Sequence, residues 1–258
     1  MDVRPYVIAV PDQQLAELKI RLQGARRPTP FAGGREYGAA PEFVQELTET
    51  WRTTFDWRAR EAQLNRLPQY RALVGGLRVH FIHLPGTGPA PLPLVLTHGW
   101  PGSFVEMERL IPLLADPGRH GGDPADAFQV VVPSLPGFGF SDAPTAPGVS
   151  SRQIARLWAE LMGGLGYERF GAQGGNIGAG VSTWLGFDHP ERVLGLHLNY
   201  IPGSYSPPQG EPPTDEEGAF PERVAAWNQE EGGYGHLQDT KPQTLAYGLS
   251  DSPVGLAA

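Results

Sequence analysis

Apolar residues in the first 75 positions recur three or four residues apart, which is the spacing of one face of an α-helix. The first such stripe follows Pro11 and ends before Pro28, and the second follows Pro41. The members of the two stripes are Leu15, Leu18 and Leu22, and then Val44, Leu47 and Trp51. The stretch from Asp56 to Tyr70 predicts a short helix and a turn. We therefore predict a helical N-terminal region whose apolar and aromatic side chains form core.

After Gly75-Gly76 the pattern changes to short apolar runs separated by turns and helical stretches. The apolar runs cover residues 77–84, 92–97, 128–132, 170–173 and 193–200. The first of these runs alternates polar with apolar residues, which predicts an edge strand. Helical stretches lie at 104–114, at 151–165 and after Gly178. Strands that alternate with helices predict an α/β protein with a mostly parallel sheet covered on both faces.

Composition narrows the classes of function. The 258 residues carry a net charge of −8, which disfavours a grip on the phosphate backbone of nucleic acids. Cysteine is absent, so the sequence holds no disulfide framework, thiolate metal site or cysteine nucleophile. His80 and His83 lie three apart on a predicted strand and so point to opposite faces, which disfavours a metal site. Since no apolar run approaches the ~18 residues of a membrane span and the first residues lack a signal-peptide pattern, we expect no membrane association and a cytoplasmic location.

Two turns follow predicted strands at their carboxyl ends, where parallel sheets bind ligands. The turn His98-Gly99-Trp100-Pro101 comes directly after the run at 92–97, and its backbone N–H groups are candidates to hold a developing oxyanion. An ordinary tight turn is the alternative, and these residues alone leave both interpretations open.

The second turn, Gly174-Gly175-Asn176-Ile177-Gly178, has the small-x-nucleophile-x-small form of a nucleophile elbow. A strand that turns sharply into a helix needs small neighbours, because the central residue is strained and its side chain projects outward. The N–H of Ile177 then joins the oxyanion hole. Phosphate binding at the helix N-terminus is the alternative, but neither G-x-x-x-x-G-K-[ST] nor G-x-G-x-x-G is completed here.

From Pro202 the chain becomes rich in proline, glycine and acidic residues, including Pro207 and Pro208, and a helical stretch follows at 224–228. This composition predicts an excursion from the sheet. Within it, Gly233-Tyr234-Gly235-His236 offers a phenol that can donate a proton into a site, although a packing tyrosine is the more frequent meaning of such a residue.

Taken in order along the chain, these motifs resemble those of the microsomal-type epoxide hydrolases, a family with the α/β-hydrolase fold. The matching stretches are 56–58 and 64–70 near the start, 98–101, 135–141 and 174–178 in the centre, and 240–244 and 251–258 at the end. The resemblance implies a helical N-terminal region at 1–75, an α/β-hydrolase core with a mostly parallel sheet at 76–203, and the start of a lid at 204–258.

The chemistry that the resemblance implies has two steps. A carboxylate on the elbow attacks an epoxide carbon to give an alkyl-enzyme ester, while lid tyrosines protonate the departing oxygen. A histidine oriented by an acid then activates water, and backbone N–H groups hold the oxyanion formed during ester hydrolysis. The implied partners are a small apolar epoxide and water, without cofactor or metal, and the oligomeric state is left open, a homodimer included.

The resemblance also assigns roles to residues of this chain. Position 176 is the nucleophile position and Tyr234 a lid acid. The amides of Trp100 and Ile177 are the oxyanion donors. The loop that holds the oxyanion and binds substrate consists of His98, Gly99, Trp100 and Pro101.

The first departure from the family is Asn176, which stands where the family has Asp. An amide is neutral and its oxygen is a poor nucleophile, although its shape nearly matches a carboxylate. This predicts a site that is well formed and chemically disabled. One alternative is that the site hydrolyses the Asn176 amide itself to Asp, and another is a non-catalytic small-molecule binder on this scaffold. A serine esterase is disfavoured, because no G-x-S-x-G is present.

The second departure concerns the acid and the histidine, which follow the nucleophile in this fold. The histidines available there are His189 in a helix-to-strand connection, His197 inside a predicted strand as a structural residue, and His236 in the lid. None is placed like a triad base, and Asn199, where some hydrolases have their acid, is not an acid. We therefore expect the acid, the base, the second lid tyrosine and the last strands of the fold beyond Ala258.

Overall fold

The computed structural model describes residues 1–29, 35–201 and 212–258, so the predicted turn prolines Pro207 and Pro208 lie outside the described residues. The strands are β1 (Val3–Pro5), β2 (Gln69–Val74), β3 (Leu77–Leu84), β4 (Leu92–Thr97), β5 (Phe128–Pro133), β6 (Phe170–Gly174) and β7 (Val193–Leu198). The helices are α1 (Asp12–Gln23), α2 (Pro41–Thr53), α3 (Trp57–Leu64), α4 (Leu110–Ala115), α5 (Ser151–Gly164), α6 (Ile177–Asp188), α7 (Asp215–Glu230), α8 (Gly233–Thr240), α9 (Pro242–Asp251) and α10 (Pro253–Ala257). Short 3-10 turns lie at Arg35–Tyr37, Phe104–Met107, Pro117–His120 and Pro124–Asp126.

The chain divides into two compact units. The first, which we call the sheet unit, comprises Met1–Ile8 and Ala62–Pro202. The second, which we call the helical unit, comprises Ala9–Glu61 and Gly203–Ala258. The division at 75 and 203 into N-terminal region, core and lid stays a prediction. Within the described ranges, no helix is both long and apolar enough to cross a membrane.

The sheet unit is built on a mixed seven-stranded sheet in the order β1-β2-β3-β5-β4-β6-β7. Strands β5, β4, β6 and β7 pair in parallel, while β1, β2 and β3 join them through antiparallel pairs. The helices that follow the parallel strands give the predicted α/β architecture. Both predicted N-terminal helices are confirmed as α1 and α2.

Two predictions about the start of the sheet are wrong. Gln69 and Tyr70, predicted as the end of a turn, begin β2, because residues 69–74 pair along their whole length with β3, and β1 adds to β2. The strands that pair with β2 include β1, which lies more than 60 residues earlier in the chain. The spacing of apolar residues within one segment does not reveal such a pairing. Strand β3 is also not an edge strand, since β2 and β5 flank it. Strand β2 gives β3 a partner on the side away from β5, and β1 pairs with β2 in turn.

The core of the sheet unit lies beneath α5, which buries seven of its residues. The helix begins after Ser150, whose side chain accepts the Gln153 N–H at its N-terminus. Trp158 is fully buried, and its indole N–H donates to Thr97 Oγ1 at 3.1 Å. Because Thr97 ends β4, this bond attaches the end of that strand to the core.

In the helical unit, Glu61 joins the start of the chain to α3. Its carboxylate accepts the Val10 N–H at 2.7 Å, the Trp57 indole N–H at 3.1 Å and the Arg58 guanidinium at 2.6 Å. The Val10 amide first, and then Arg58 and Trp57, lower the pKa of Glu61. Arg58 also pairs with Asp12. The stretch at 56–58 therefore acts structurally, by fixing the segment that leads into α1.

The predicted short helical stretch at 224–228 is part of a longer helix, α7. Thr214 and Glu217 form a reciprocal capping box at its N-terminus, and the acidic residues of the first turn suit the helix dipole. The spacing of Thr214 and Glu217 is the sequence signal for this earlier helix start. The segment continues through α8, α9 and α10, and α10 packs on α1 and α2.

His80 is the centre of a buried polar network in the sheet unit. Its ring lies on β3 with no exposed surface, and it contacts Ser134 Oγ through Nδ1 at 2.8 Å and Gln69 Oε1 through Nε2 at 2.9 Å. Gln69 donates its amide to the Leu64 carbonyl, so its oxygen accepts from His80 Nε2–H. Burial first, and the charge of Arg71 second, lower the pKa of His80 to about 3. The ring is therefore neutral in the folded protein.

This neutral ring predicts an acid-sensitive stability. Between about pH 6.5 and 3 the unfolded chain binds a proton at His80 that the folded chain does not, so stability falls as the pH is lowered through that window. We expect His80→Gln to remove about 1.4 kcal/mol per pH unit from the slope of unfolding free energy against pH there. Urea unfolding at several pH values measures this slope for both proteins. Lost packing alone would lower the stability equally at every pH, and an unchanged slope would contradict the prediction.

Candidate active site

Strands β4 and β6 are parallel neighbours whose carboxyl ends lie side by side. Their register pairs Val95 with Ala172 and Thr97 with Gly174. The turn that begins at His98 and the turn that begins at Gly175 therefore leave the same edge of the sheet one strand apart. The motifs that contain Trp100 and Asn176 are 76 residues apart in the chain. The pairing of β4 with β6 brings them together.

The turn at 174–178 has the geometry of a nucleophile elbow. Asn176 has φ 52° and ψ −122°, and among the described non-glycine residues it alone has a positive φ. Such backbone strain persists only where the surroundings hold it. A Cβ at Gly174 would lie 1.9 Å from the Gly178 carbonyl oxygen, and a Cβ at Gly178 would lie 2.0 Å from the Thr97 carbonyl oxygen. The small residues are therefore required by close backbone contact.

The loop at 98–101 faces the elbow side chain directly. The Trp100 N–H donates to Asn176 Oδ1 at 3.0 Å. A Cβ at Gly99 would lie 2.4 Å from Asn176 Cβ, so only glycine leaves room for this approach. The Trp100-Pro101 peptide is cis. The Asn176 side chain is exposed, so an oxygen at this position is accessible to a small molecule and already has one backbone donor.

Ile177 is the first residue of α6, and its half-buried side chain packs on the core of the sheet unit. The first N–H groups of a helix have no partner within the helix. The amide of Ile177 is therefore suited to the second donor role predicted for it. That role stays a prediction.

His98 is buried completely and so does not reach a ligand itself. Its Nε2 accepts the Leu135 N–H at 3.1 Å, and its Nδ1 contacts the Gly99 carbonyl oxygen at 3.1 Å. Burial lowers the pKa of His98, opposed by the bond to Gly99. A substrate-contacting role, as the loop assignment implied, does not agree with this burial.

Glu106 is a residue near this loop that the sequence interpretation missed. A Cβ at Gly102 would overlap the Glu106 carboxylate, so that carboxylate covers the backbone just after Pro101. Burial raises the pKa of Glu106, and an accepted bond from the Ser103 backbone opposes the change. Glu106 lies four residues after Gly102 on a short 3-10 turn, and this short separation in sequence was the available indication that its side chain lies near the loop.

Of the other candidate residues in the sheet unit, Asn199 lies beside the elbow, while His189 is distant from it. His189 follows α6, whose 12 residues put it about 18 Å along the helix from the elbow. His197 lies inside β7, as predicted, and its side chain is exposed there. Asn199 lies beside the elbow: its N–H donates to the Gly174 carbonyl at 3.3 Å, and a Cβ at Gly175 would lie 2.5 Å from Asn199 Oδ1.

Tyr234 belongs to the helical unit, where it is the second residue of α8 and not part of an irregular loop. It is 47% exposed and lines an open cleft of about 440 Å³. The other residues of that cleft are Trp227, Asn228, Gly232, Gly235, His236 and Asp239. The phenol is therefore accessible, and its role as lid acid stays a prediction. In the parts of the chain that the structure describes, His, Asp and Glu nowhere gather in threes as metal ligands would.

Comparison with known proteins identifies the family. The family model described as "Epoxide hydrolase N terminus" matches residues 3–107, and the one described as "alpha/beta hydrolase fold" matches residues 93–246. A Stigmatella aurantiaca (strain DW4/3-1) protein whose name includes the words epoxide hydrolase is 47% identical over 260 residues, covering 99% of this chain and 58% of that protein. "Epoxide hydrolase 1" of Sus scrofa is 36% identical over 276 residues, covering 99% of this chain and 61% of its own length.

A solved structure agrees with these relatives. The structure of Aspergillus niger epoxide hydrolase superposes with a TM-score of 0.88 at 31% identity, covering 100% of this chain and 68% of that chain. This chain spans about three fifths of the length of the curated relatives it matches. With the elbow, the facing loop and both family matches in agreement, the chain belongs to the epoxide hydrolase family of the α/β-hydrolase fold.

Proposed function

We propose that the protein's site opens a small apolar epoxide to a vicinal diol through an ester formed on the side chain of residue 176. The observation that carries this proposal is the 3.0 Å hydrogen bond from the Trp100 amide to Asn176 Oδ1, made by a strained elbow residue. An amide N–H at that place stabilises negative charge on the side-chain oxygen. The same oxygen bears the charge when the ester is hydrolysed.

The first step forms one bond and breaks another. A side-chain oxygen at position 176 attacks an epoxide carbon, the carbon–oxygen bond of the ring breaks, and the departing oxygen takes a proton. Tyr234 is the proposed proton donor, because an epoxide oxygen leaves poorly as a bare alkoxide. In the second step water gives a proton to the histidine base that the resemblance implies and attacks the ester carbonyl carbon, and the amides of Trp100 and Ile177 hold the resulting oxyanion. The bond between that carbon and the alkyl oxygen then breaks, the diol leaves with the proton, and the side-chain carboxylate is restored.

Asn176 makes this chain a case in which the site is assembled but its nucleophile is neutral. The Asn176 amide keeps the hydrogen bond to Trp100 that a carboxylate oxygen would make, while its oxygen lacks the charge needed for attack. We propose that the first step is strongly impaired in this chain as it stands. The same neutral side chain favours a second candidate function, binding of a small apolar molecule without turnover.

The test is to trap the ester in the Asn176→Asp variant. The variant is mixed with styrene oxide, quenched with acid and digested, and the peptide that holds residue 176 is weighed. We expect a gain of one substrate mass at that residue. Trapping needs only the first step, so the ester is detected whether or not it is subsequently hydrolysed.

The unaltered chain is the matched control, and it is expected to acquire no adduct. Its own mass, followed over the same incubation without substrate, shows whether Asn176 converts to Asp, a gain of ~1 Da. An adduct at another residue, or an equal adduct on both proteins, contradicts the proposed function. Absence of any adduct in the variant favours the binding function.

A further inference from the structure

The hydrogen bonds of His98 define which ring nitrogen carries the proton. The Leu135 backbone N–H can only donate, so Nε2, 3.1 Å from it, is the acceptor. The neutral ring must then carry its proton on Nδ1. The Gly99 carbonyl, 3.1 Å from Nδ1, accepts that proton. His98 thus joins the loop after β4 to the loop after β5 with one accepted and one donated bond.

The carbonyl that His98 holds belongs to the same peptide group as the amide that faces the elbow. The Gly99–Trp100 peptide is trans, so its C=O and N–H lie in one plane and point in opposite directions. The C=O points to His98 Nδ1, and the N–H points to Asn176 Oδ1 at 3.0 Å. Fixing one end of this planar group therefore fixes the direction of the other.

We propose that His98 is a positioning residue for the oxyanion donor: through the Gly99 carbonyl it holds the Trp100 N–H in the direction of the side chain at position 176. A carbonyl that accepts a hydrogen bond also makes the N–H of its own peptide a stronger donor. The use of this amide in ester hydrolysis rests on the proposed function. Its orientation by His98 does not, and can be measured separately.

The surroundings of His98 keep the ring in this one state. The side chain is completely buried, and the Phe138 ring meets it edge-on with 5.5 Å between centroids. A proton on Nε2 would face the Leu135 N–H, donor against donor. The burial that lowers the pKa of His98 favours the neutral ring, and the two contacts then decide which nitrogen carries the proton. The tautomer is therefore imposed by both contacts, and free rotation of the Gly99–Trp100 peptide is prevented.

The first measurement uses the unaltered chain with nitrogen-15 in its histidine rings. At pH 6.5, where an ordinary histidine is about half protonated, we expect the NMR signals of His98 to show a neutral ring with the proton on Nδ1. A proton on Nε2, or a ring half protonated at that pH, would overturn the proposal. This readout requires neither activity nor a substituted protein.

The second measurement compares His98→Phe with His80→Phe. Both replace a fully buried histidine that makes two hydrogen bonds, and His80 bonds neither Gly99 nor Trp100. We expect His98→Phe to speed hydrogen exchange of the Trp100 amide by about tenfold or more beyond what its effect on global unfolding explains. His80→Phe is expected to change the exchange of that amide only as far as its own effect on global unfolding explains. Equal effects of the two changes would mean that His98 acts only on stability, which contradicts the proposal.

The third measurement adds both changes to the Asn176→Asp variant. His98→Phe is expected to leave the rate of ester formation within a few fold and to slow hydrolysis of the accumulated ester by about a hundredfold, because the charge that the Trp100 N–H stabilises develops only in the hydrolysis. His80→Phe is expected to leave both rates within a few fold. If the Asn176→Asp variant forms no ester, the proposed function fails while the exchange measurement still decides the role of His98.

Discussion

Asn176→Asp is expected to raise the rate of epoxide consumption by at least about a thousandfold over the unaltered chain. Loss of a catalytic nucleophile costs several powers of ten, and here a single substitution restores the charge. The contacts of the side chain need no rebuilding, because Asp has nearly the shape of Asn and Oδ1 already accepts the Trp100 N–H. Single-turnover consumption of styrene oxide at neutral pH measures the effect.

The matched control for this change is Asn199→Asp. Asn199 lies beside the elbow, with its Oδ1 2.5 Å from where a Gly175 Cβ would be, and the substitution adds the same charge. It does not place a carboxylate on the strained residue that faces Trp100, so we expect no gain in rate. Comparable acceleration by both variants would mean that added negative charge, and not a nucleophile at position 176, is responsible. No acceleration by either would contradict the assignment of the elbow.

Gly178→Ala is the second change with a large expected effect. The added Cβ would lie 2.0 Å from the Thr97 carbonyl oxygen, between the first turn of α6 and the end of β4. Neither partner is a flexible side chain, so the backbone itself must move. We expect the free energy of unfolding to fall by about 4 kcal/mol or more, far outweighing the ~1 kcal/mol by which alanine favours a helix. Urea unfolding at neutral pH measures this loss.

Gly195→Ala is the appropriate comparison because it makes the same chemical change in the same unit. Gly195 lies in β7, and a Cβ there would meet nothing within 4 Å. Its replacement is expected to leave stability unchanged or to raise it by up to about 1 kcal/mol, since glycine weakens a strand interior. If Gly178→Ala is tolerated as well as this control, the close contact between α6 and β4 is not present in the protein.

The elbow was predictable from sequence because its requirements are local. A short apolar run, small residues around Asn176 and an apolar helix afterwards specify a strand, a sharp turn and a helix within a few residues of each other. A turn at 98–101 was predictable for the same reason, while its role in holding an oxyanion stays a prediction. That the two lie together followed only from the rule that parallel strands present their carboxyl ends at one edge, and the register of Thr97 with Gly174 agrees with it.

What sequence could not supply depends on contacts between distant segments. The start of strand β2 looked like a turn because its partner, β3, gives it its identity, and β3 looked like an edge for want of the strands β1 and β2. His98 was grouped with the residues that face the substrate, whereas its burial depends on the Leu135 loop that covers it. The helix α7 was predicted only at 224–228 although its capping box is local, because proline and acidic residues dominate the start of that segment.

The pairing of β4 with β6 has a consequence for how this family can vary. Displacing β6 along β4 by one residue would carry the elbow about 3.3 Å along the sheet and turn its side chains to the other face. The Trp100 N–H would then lose its acceptor, Asn176 Oδ1. A single inserted residue between Leu94 and Thr97, or between Gly171 and Gly174, would therefore separate donor from acceptor while leaving every side chain of the site intact.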